Sequence, residues 1–212
     1  MSSVMRFIIL GESNTGKTRF FNKLQNMHKK EPIPATGTKE YTGPHDIDVL
    51  TYSCDTNTKI IIWDTTGEKL FRTIITSYMR NNCGYFLFFD LSDPSSIETS
   101  EEWIKMIMFF NTCYHDHPIM LVGIKNNQNC IDHDNLAKLV LRYKLIYMSV
   151  PGDLSDPNVI MDTMITEVQI RLVNNGVCCN GIKTPNNRTI HLTPKPYTDT
   201  DTDTDTHQNK CY

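Results

Sequence analysis

Lys17 and Thr18 close a stretch, residues 11–18, that reads Gly-Glu-Ser-Asn-Thr-Gly-Lys-Thr. The pattern is G-x-x-x-x-G-K-T. A glycine-rich turn of this kind aims successive backbone amides at phosphate oxygens. Its lysine reaches the terminal phosphates and its hydroxyl ligates a magnesium ion. Gly11, Ser13, Asn14, Thr15, Gly16, Lys17 and Thr18 are therefore the candidate phosphate contacts. A second constellation, Asp64-Thr65-Thr66-Gly67, lies well downstream. A carboxylate there can hold a metal-bound water, and a glycine three residues later can offer an unobstructed N–H to the terminal phosphate. Loss of that phosphate would release the contact, which makes such a loop a switch. D-x-x-G is a weak signal alone and a strong one beside a phosphate loop.

These groups need elements to hold them. The apolar run Phe7-Ile8-Ile9-Leu10 predicts a first strand over 4–10, and Gly16 to His28 a helix with Phe20, Phe21 and Leu24 on its inner face. The helix N-terminus would add free N–H groups and the positive end of its dipole to the phosphate site. Pro32, Pro34, Gly37 and Pro44 mark residues 31–44 as a loop, long enough to carry function. Residues 46–54 and 59–63 predict a hairpin whose second strand delivers Asp64. A helix is expected over 68–80. Tyr85-Phe86-Leu87-Phe88-Phe89 and Ile119-Met120-Leu121-Val122 read as buried parallel strands, with a helix from Ile97 to Phe110 between them. Trp103 on that helix reads as core. A helix over Asp134–Leu141 and a short strand over Leu145–Met148 follow. Asp156-Pro157 starts the last helix, and Asn175-Gly176 closes it. This alternation predicts an α/β domain over residues 1–175 with ligands at the strand C-termini.

The chain has 212 residues, 21 basic and 24 acidic side chains and a formal charge of −3, which leaves no electrostatic footprint for nucleic acid. Seven cysteines show neither C-x-x-C nor paired zinc spacing and read as thiols in a reducing compartment. Residues 1–6 are too short and polar for a targeting peptide. Residues 176–212 lack apolar periodicity, and Asp-Thr repeats fill 199–206, so this tail is expected to be disordered. Its four basic residues balance its four aspartates, which excludes a polybasic membrane patch.

The stretch Trp63-Asp64-Thr65-Thr66-Gly67-Glu68-Lys69-Leu70-Phe71-Arg72-Thr73-Ile74 resembles the W-D-T-A-G-Q-E-R-F-R-T-I of small GTPases of the Ras superfamily, most like the Rab branch. Ser77-Tyr78, Arg80, Trp103 and the opening Gly11-Glu12-Ser13 extend the resemblance, which covers residues 4–172. It implies the three-layer α/β/α sandwich of P-loop NTPases. The sheet would have six strands, mainly parallel, with one antiparallel edge strand, and five helices would flank it. It also implies GTP and GDP with Mg2+, and an exchange factor, a GTPase-activating protein and effectors of vesicle traffic meeting residues 31–45 and 67–80. The expected setting is cytoplasmic, or peripheral on endomembranes if Cys211, next to last, is lipidated. One lipid chain would anchor only marginally.

Three departures from that family pattern matter. The water-positioning glutamine falls on Glu68, and an ionised carboxylate can only accept hydrogen bonds. Its charge beside phosphate predicts slow hydrolysis; a general-base role for Glu68 is the competing reading. The guanine-reading N-K-x-D falls on Ile124-Lys125-Asn126-Asn127. Lys125 can stack on a base. Ile124 cannot make the polar bonds that tie this loop to the phosphate loop, and Asn127 offers a donor where guanine presents donors. Weak discrimination of GTP over XTP is the expectation. Ser149-Val150-Pro151 stands where the family has S-A-K, so Ser149 and Val150 are candidate base contacts. The first switch needs a metal-binding threonine. Counting from Lys17 selects Thr36, whereas aligning the proline and glycine selects Ala35; Thr38 is the runner-up to Thr36. The alternative to a slow GTPase is a non-hydrolysing interaction module that keeps the fold and binds nucleotide weakly or not at all.

Overall fold

The computed structural model describes residues 3–28, 47–111, 117–125 and 130–175. Six strands form one sheet: β1 (Ser3–Leu10), β2 (Asp48–Ser53), β3 (Thr58–Asp64), β4 (Gly84–Asp90), β5 (Ile119–Lys125) and β6 (Ile146–Pro151). Their order is β2-β3-β1-β4-β5-β6. β2 runs antiparallel to β3 at one edge, and every other neighbour pair is parallel. Five helices cover the faces: α1 (Lys17–His28), α2 (Arg72–Tyr78), α3 (Ser96–Phe110), α4 (His133–Tyr143) and α5 (Pro157–Asn175). This is the α/β fold expected of a Ras-type P-loop GTPase.

Alternation along the strands divides the core between the two faces. Phe7, Ile9, Phe86 and Phe88 point to the side where Phe20, Leu24, Met161 and Met164 of α1 and α5 pack. Ile8, Leu10, Tyr85 and Leu87 point to the other side, against Ile75, Trp103, Ile104 and Leu136. Central strands buried on both faces need no polar residues, which is why β1 and β4 read as nearly continuous apolar runs. The C-terminal ends of the five parallel strands thus lie, with the phosphate loop, at one end of the sheet.

The helix boundaries that depart most from expectation are those of α2 and α4. The helix expected over 68–80 is a short 3-10 turn, Lys69–Phe71, followed by α2. α4 starts earlier than Asp134, because Asp132 caps it and accepts from the amides of Asp134 and Asn135. It also ends later than Leu141, in Lys144 at φ 51°, a left-handed cap without glycine. The start of α5 follows the cap-proline reading, with Asp156 accepting from the Asn158 amide at 3.0 Å. Gly176 and the tail lie outside the described residues.

Candidate functional site

The phosphate loop leaves β1 at Gly11 and enters α1 at Lys17. Asn14 sits at φ 64°, a conformation asparagine tolerates better than most residues. The loop is tied internally at one carbonyl. Thr15 Oγ1 donates to the Glu12 carbonyl at 2.8 Å, and Lys17 Nζ donates to the same oxygen at 2.5 Å. Lys17 is buried, and burial lowers its amine from 10.5 to about 8, while the charges of Asp64 and Glu12 act the other way.

Asp64 ends β3 beside this amine. It is only 4% exposed, and its Oδ1 has no hydrogen-bond partner. Burial pushes its carboxyl up from 3.8 to about 6. The hydrogen bond from Thr18 and the charge of Lys17 oppose that shift, and the charge of Asp48 adds to it. A buried acceptor without a donor costs free energy unless something else satisfies it. A hard divalent cation suits a carboxylate and a hydroxyl of this kind, so Asp64 and Thr18 fit a bound Mg2+.

A cavity of about 480 Å³ opens over these groups, lined among others by Ser13, Asn14, Lys17, Thr18, Asp64, Gly67 and Glu68. That volume lies within the ordinary range for a small-molecule site. Gly67 is pressed against the phosphate loop: a Cβ on it would collide with the backbone of Glu12 and Ser13. Only a glycine brings its backbone this close. Glu68 follows, exposed, its amide donating to Thr66 Oγ1 at 3.3 Å.

Three residues that sequence reasoning left out of the site converge on it. The Glu12 carboxylate accepts from the Arg72 guanidinium and, at 2.9 Å, from the indole Nε1 of Trp103. Arg72 also pairs with Glu102 at 3.0 Å, and its guanidinium carbon stands 4.9 Å from the Trp103 ring centroid. Trp103 is core, as expected, and also a donor to the phosphate loop. An acid inside a loop expected to bind anions is the available signal, because such a charge needs a cation nearby.

The candidate base contacts lie at the ends of β5 and β6. Ile124 is buried, and a Cβ on Gly16 would stand 3.4 Å from its Cγ1, so the two are packed together. Lys125 is exposed, and its carbonyl accepts from Gly152 at 2.8 Å. The Arg19 guanidinium, on the first turn of α1, donates to the Gly152 carbonyl. Ser149 is exposed and Val150 half-buried against the core. Asn127, Thr36, Thr38, Cys211 and the whole of 31–45 lie outside the described residues.

With this geometry in hand, a comparison with family models matches the Ras family over residues 6–166. The chain belongs to the Ras family. It is related to Rab proteins in particular. It is 27% identical over 158 residues to Ras-related protein Rab-18 of Lymnaea stagnalis, covering 73% of this chain and 74% of that one. It is 28% identical to Ras-related protein Rab-3 of Caenorhabditis elegans and 29% identical to Ras-related protein Rab-3A of Homo sapiens, each over 124 residues. Those two matches cover 58% of this chain and 52% of the relative, so it spans about half the length of the Rab-3 proteins it matches. Among the described residues of this Ras-family chain no helix is long and apolar enough to cross a membrane.

Proposed function

We propose that this Ras-family chain is a Rab-like nucleotide switch that binds GTP and GDP with Mg2+ and hydrolyses the triphosphate slowly. The observation that carries the reading is the buried, unpartnered oxygen of Asp64 on the same cavity as Lys17, Thr18 and Gly67. A cation and a phosphate chain together would satisfy what this cavity leaves open. The carboxylate and the Thr18 hydroxyl would hold the metal, whose chemistry is to neutralise charge developing on the phosphoryl oxygens. Lys17 would leave the Glu12 carbonyl for the terminal phosphates, and the amides of residues 13–18 would bind the remaining oxygens. Gly67 would sense the terminal phosphate, because its backbone already abuts the loop.

Glu68 lines the cavity, exposed, with a carboxyl where an orienting amide is expected. It can accept from water but not donate to the transferring group when ionised. Slow turnover follows. Packing between Ile124 and Gly16 replaces a polar tie between the base-reading strand and the phosphate loop, and supports relaxed discrimination between GTP and XTP. Leu70, 88% exposed in the segment after Gly67, offers an apolar contact to effectors or regulators. Mass analysis of nucleotide extracted from the purified chain tests the reading directly. Calorimetry with GTP, GDP and XTP on the native chain and Lys17→Ala then tests the site. Unchanged affinity in Lys17→Ala would remove the assignment. At least a hundredfold preference for GTP over XTP, about 2.7 kcal/mol, would mean that guanine is still read by groups other than those assigned.

A further inference from the structure

The antiparallel register at the sheet edge sets Asp48, the first residue of β2, directly opposite Asp64, the last residue of β3. Directly opposed residues in an antiparallel pair carry their side chains on the same face, and like charges so placed are destabilising. Both carboxylates line the cavity beside the phosphate loop. Asp64 is more than nine-tenths buried with one oxygen unpartnered, while Asp48 is exposed at the cavity's outer side. Among the described lining residues the one cation is Lys17, and its Nζ is already on the Glu12 carbonyl.

We propose that Asp48 is a second acidic group of the cation site, which lets this chain bind a divalent cation without nucleotide. The proposal rests on the assignment of Asp64 to that site and adds a residue to it. A single carboxylate and a hydroxyl hold a hard cation weakly unless phosphate oxygens help. A second carboxylate on the same face raises the local negative potential and can bind through the cation's own water. Among the described residues no group of three or more His, Cys, Asp or Glu side chains could hold a metal ion; the proposed site would be the two carboxylates with the Thr18 hydroxyl, completed by the cation's own water. The plainer role for Asp48 is to keep the exposed edge of β2 from pairing with another strand. That role needs a charge on the strand but gives no reason to place it across from Asp64.

The experiment uses the full chain stripped of nucleotide and metal, titrated with Mn2+ alone and followed by electron paramagnetic resonance of the free ion. Native protein should bind Mn2+, Asp48→Asn should bind roughly tenfold more weakly, Asp48→Glu should recover most of the affinity, and Asp64→Asn should lose it. In chelator, Asp48→Asn should unfold at no lower temperature than the native chain, because a like charge has been removed. If native protein binds no Mn2+ without nucleotide, or if Asp48→Asn equals native while Asp64→Asn loses binding, this inference is overturned and the Asp64 assignment stands. If native protein binds Mn2+ and Asp64→Asn binds it as well as native, the assignment beneath it fails. A lower unfolding temperature for Asp48→Asn in chelator would show a structural role instead.

Discussion

The guanidinium of Arg72, at the start of α2, is paired with the carboxylate of Glu12, inside the phosphate loop. Their side chains are 18% and 25% exposed, so the pair sits between a solvated surface bridge and a buried one. A double-mutant cycle with Glu12→Gln and Arg72→Ala should give a coupling of about 1 kcal/mol in urea unfolding. Additive effects would show that the pair contributes nothing beyond its separate contacts with Trp103 and Glu102.

Gly67→Ala should both destabilise the fold and weaken triphosphate binding. The new methyl has no room against the Glu12–Ser13 backbone, so one of the two loops must move. Overpacking of this kind costs about 1–3 kcal/mol. Affinity for GTP should fall more than affinity for GDP, since only the terminal phosphate is expected to meet residue 67. Equal losses for both nucleotides, measured by calorimetry, would contradict that role.

Stability of the nucleotide-free, metal-free chain should depend on pH through Asp64. Its folded pKa of about 6 lies above the ordinary 3.8, so the folded carboxyl binds more protons than the unfolded one between those values. The contribution is fully present below about 4 and is lost as pH rises through 6, a difference of roughly 3 kcal/mol. Lys17 is shifted the other way, down to about 8, so its effect is a separate rise in stability between about 8 and 10.5. Asp64→Asn should flatten the acid window in urea titrations and widen the alkaline one, because the Asp64 charge holds the Lys17 amine up. Saturating Mg2+ should reverse the acid slope, because the cation needs the carboxylate.

Glu68→Gln should speed single-turnover phosphate release. The replacement keeps the acceptor, adds a donor and removes a negative charge from beside the phosphates. A native chain that is faster than the variant would make Glu68 an orienting group or base and overturn the reading of slow hydrolysis.

What could be read from the residues followed the range of the interactions. The phosphate loop, the buried strands and the Asp156 cap depend on neighbours in sequence, so their patterns were visible. Lys144 was not, because nothing local marks a lysine as a left-handed cap. The 3-10 turn before α2 was missed because Leu70 and Phe71 keep helical spacing across it while Leu70 points to solvent. The partners of Glu12 lie 60 and 91 residues away, and the Asp48–Asp64 opposition depends on hairpin register. The first could not be located before the neighbours of the phosphate loop were known, nor the second before the hairpin register was.

The contact between Ile124 and Gly16 gives the molecule a thermal character. Hydrogen bonds between strand and loop would hold the two at fixed angles, with little dependence on warmth. Methyl groups against a glycine are held by expulsion of water, which weakens on cooling. With the proposed nucleotide bound, chilled protein should therefore keep its hold on the phosphates while the proposed seat of the base loosens. Nucleotide dissociation measured in the cold would then be faster than an extrapolation from warm samples suggests.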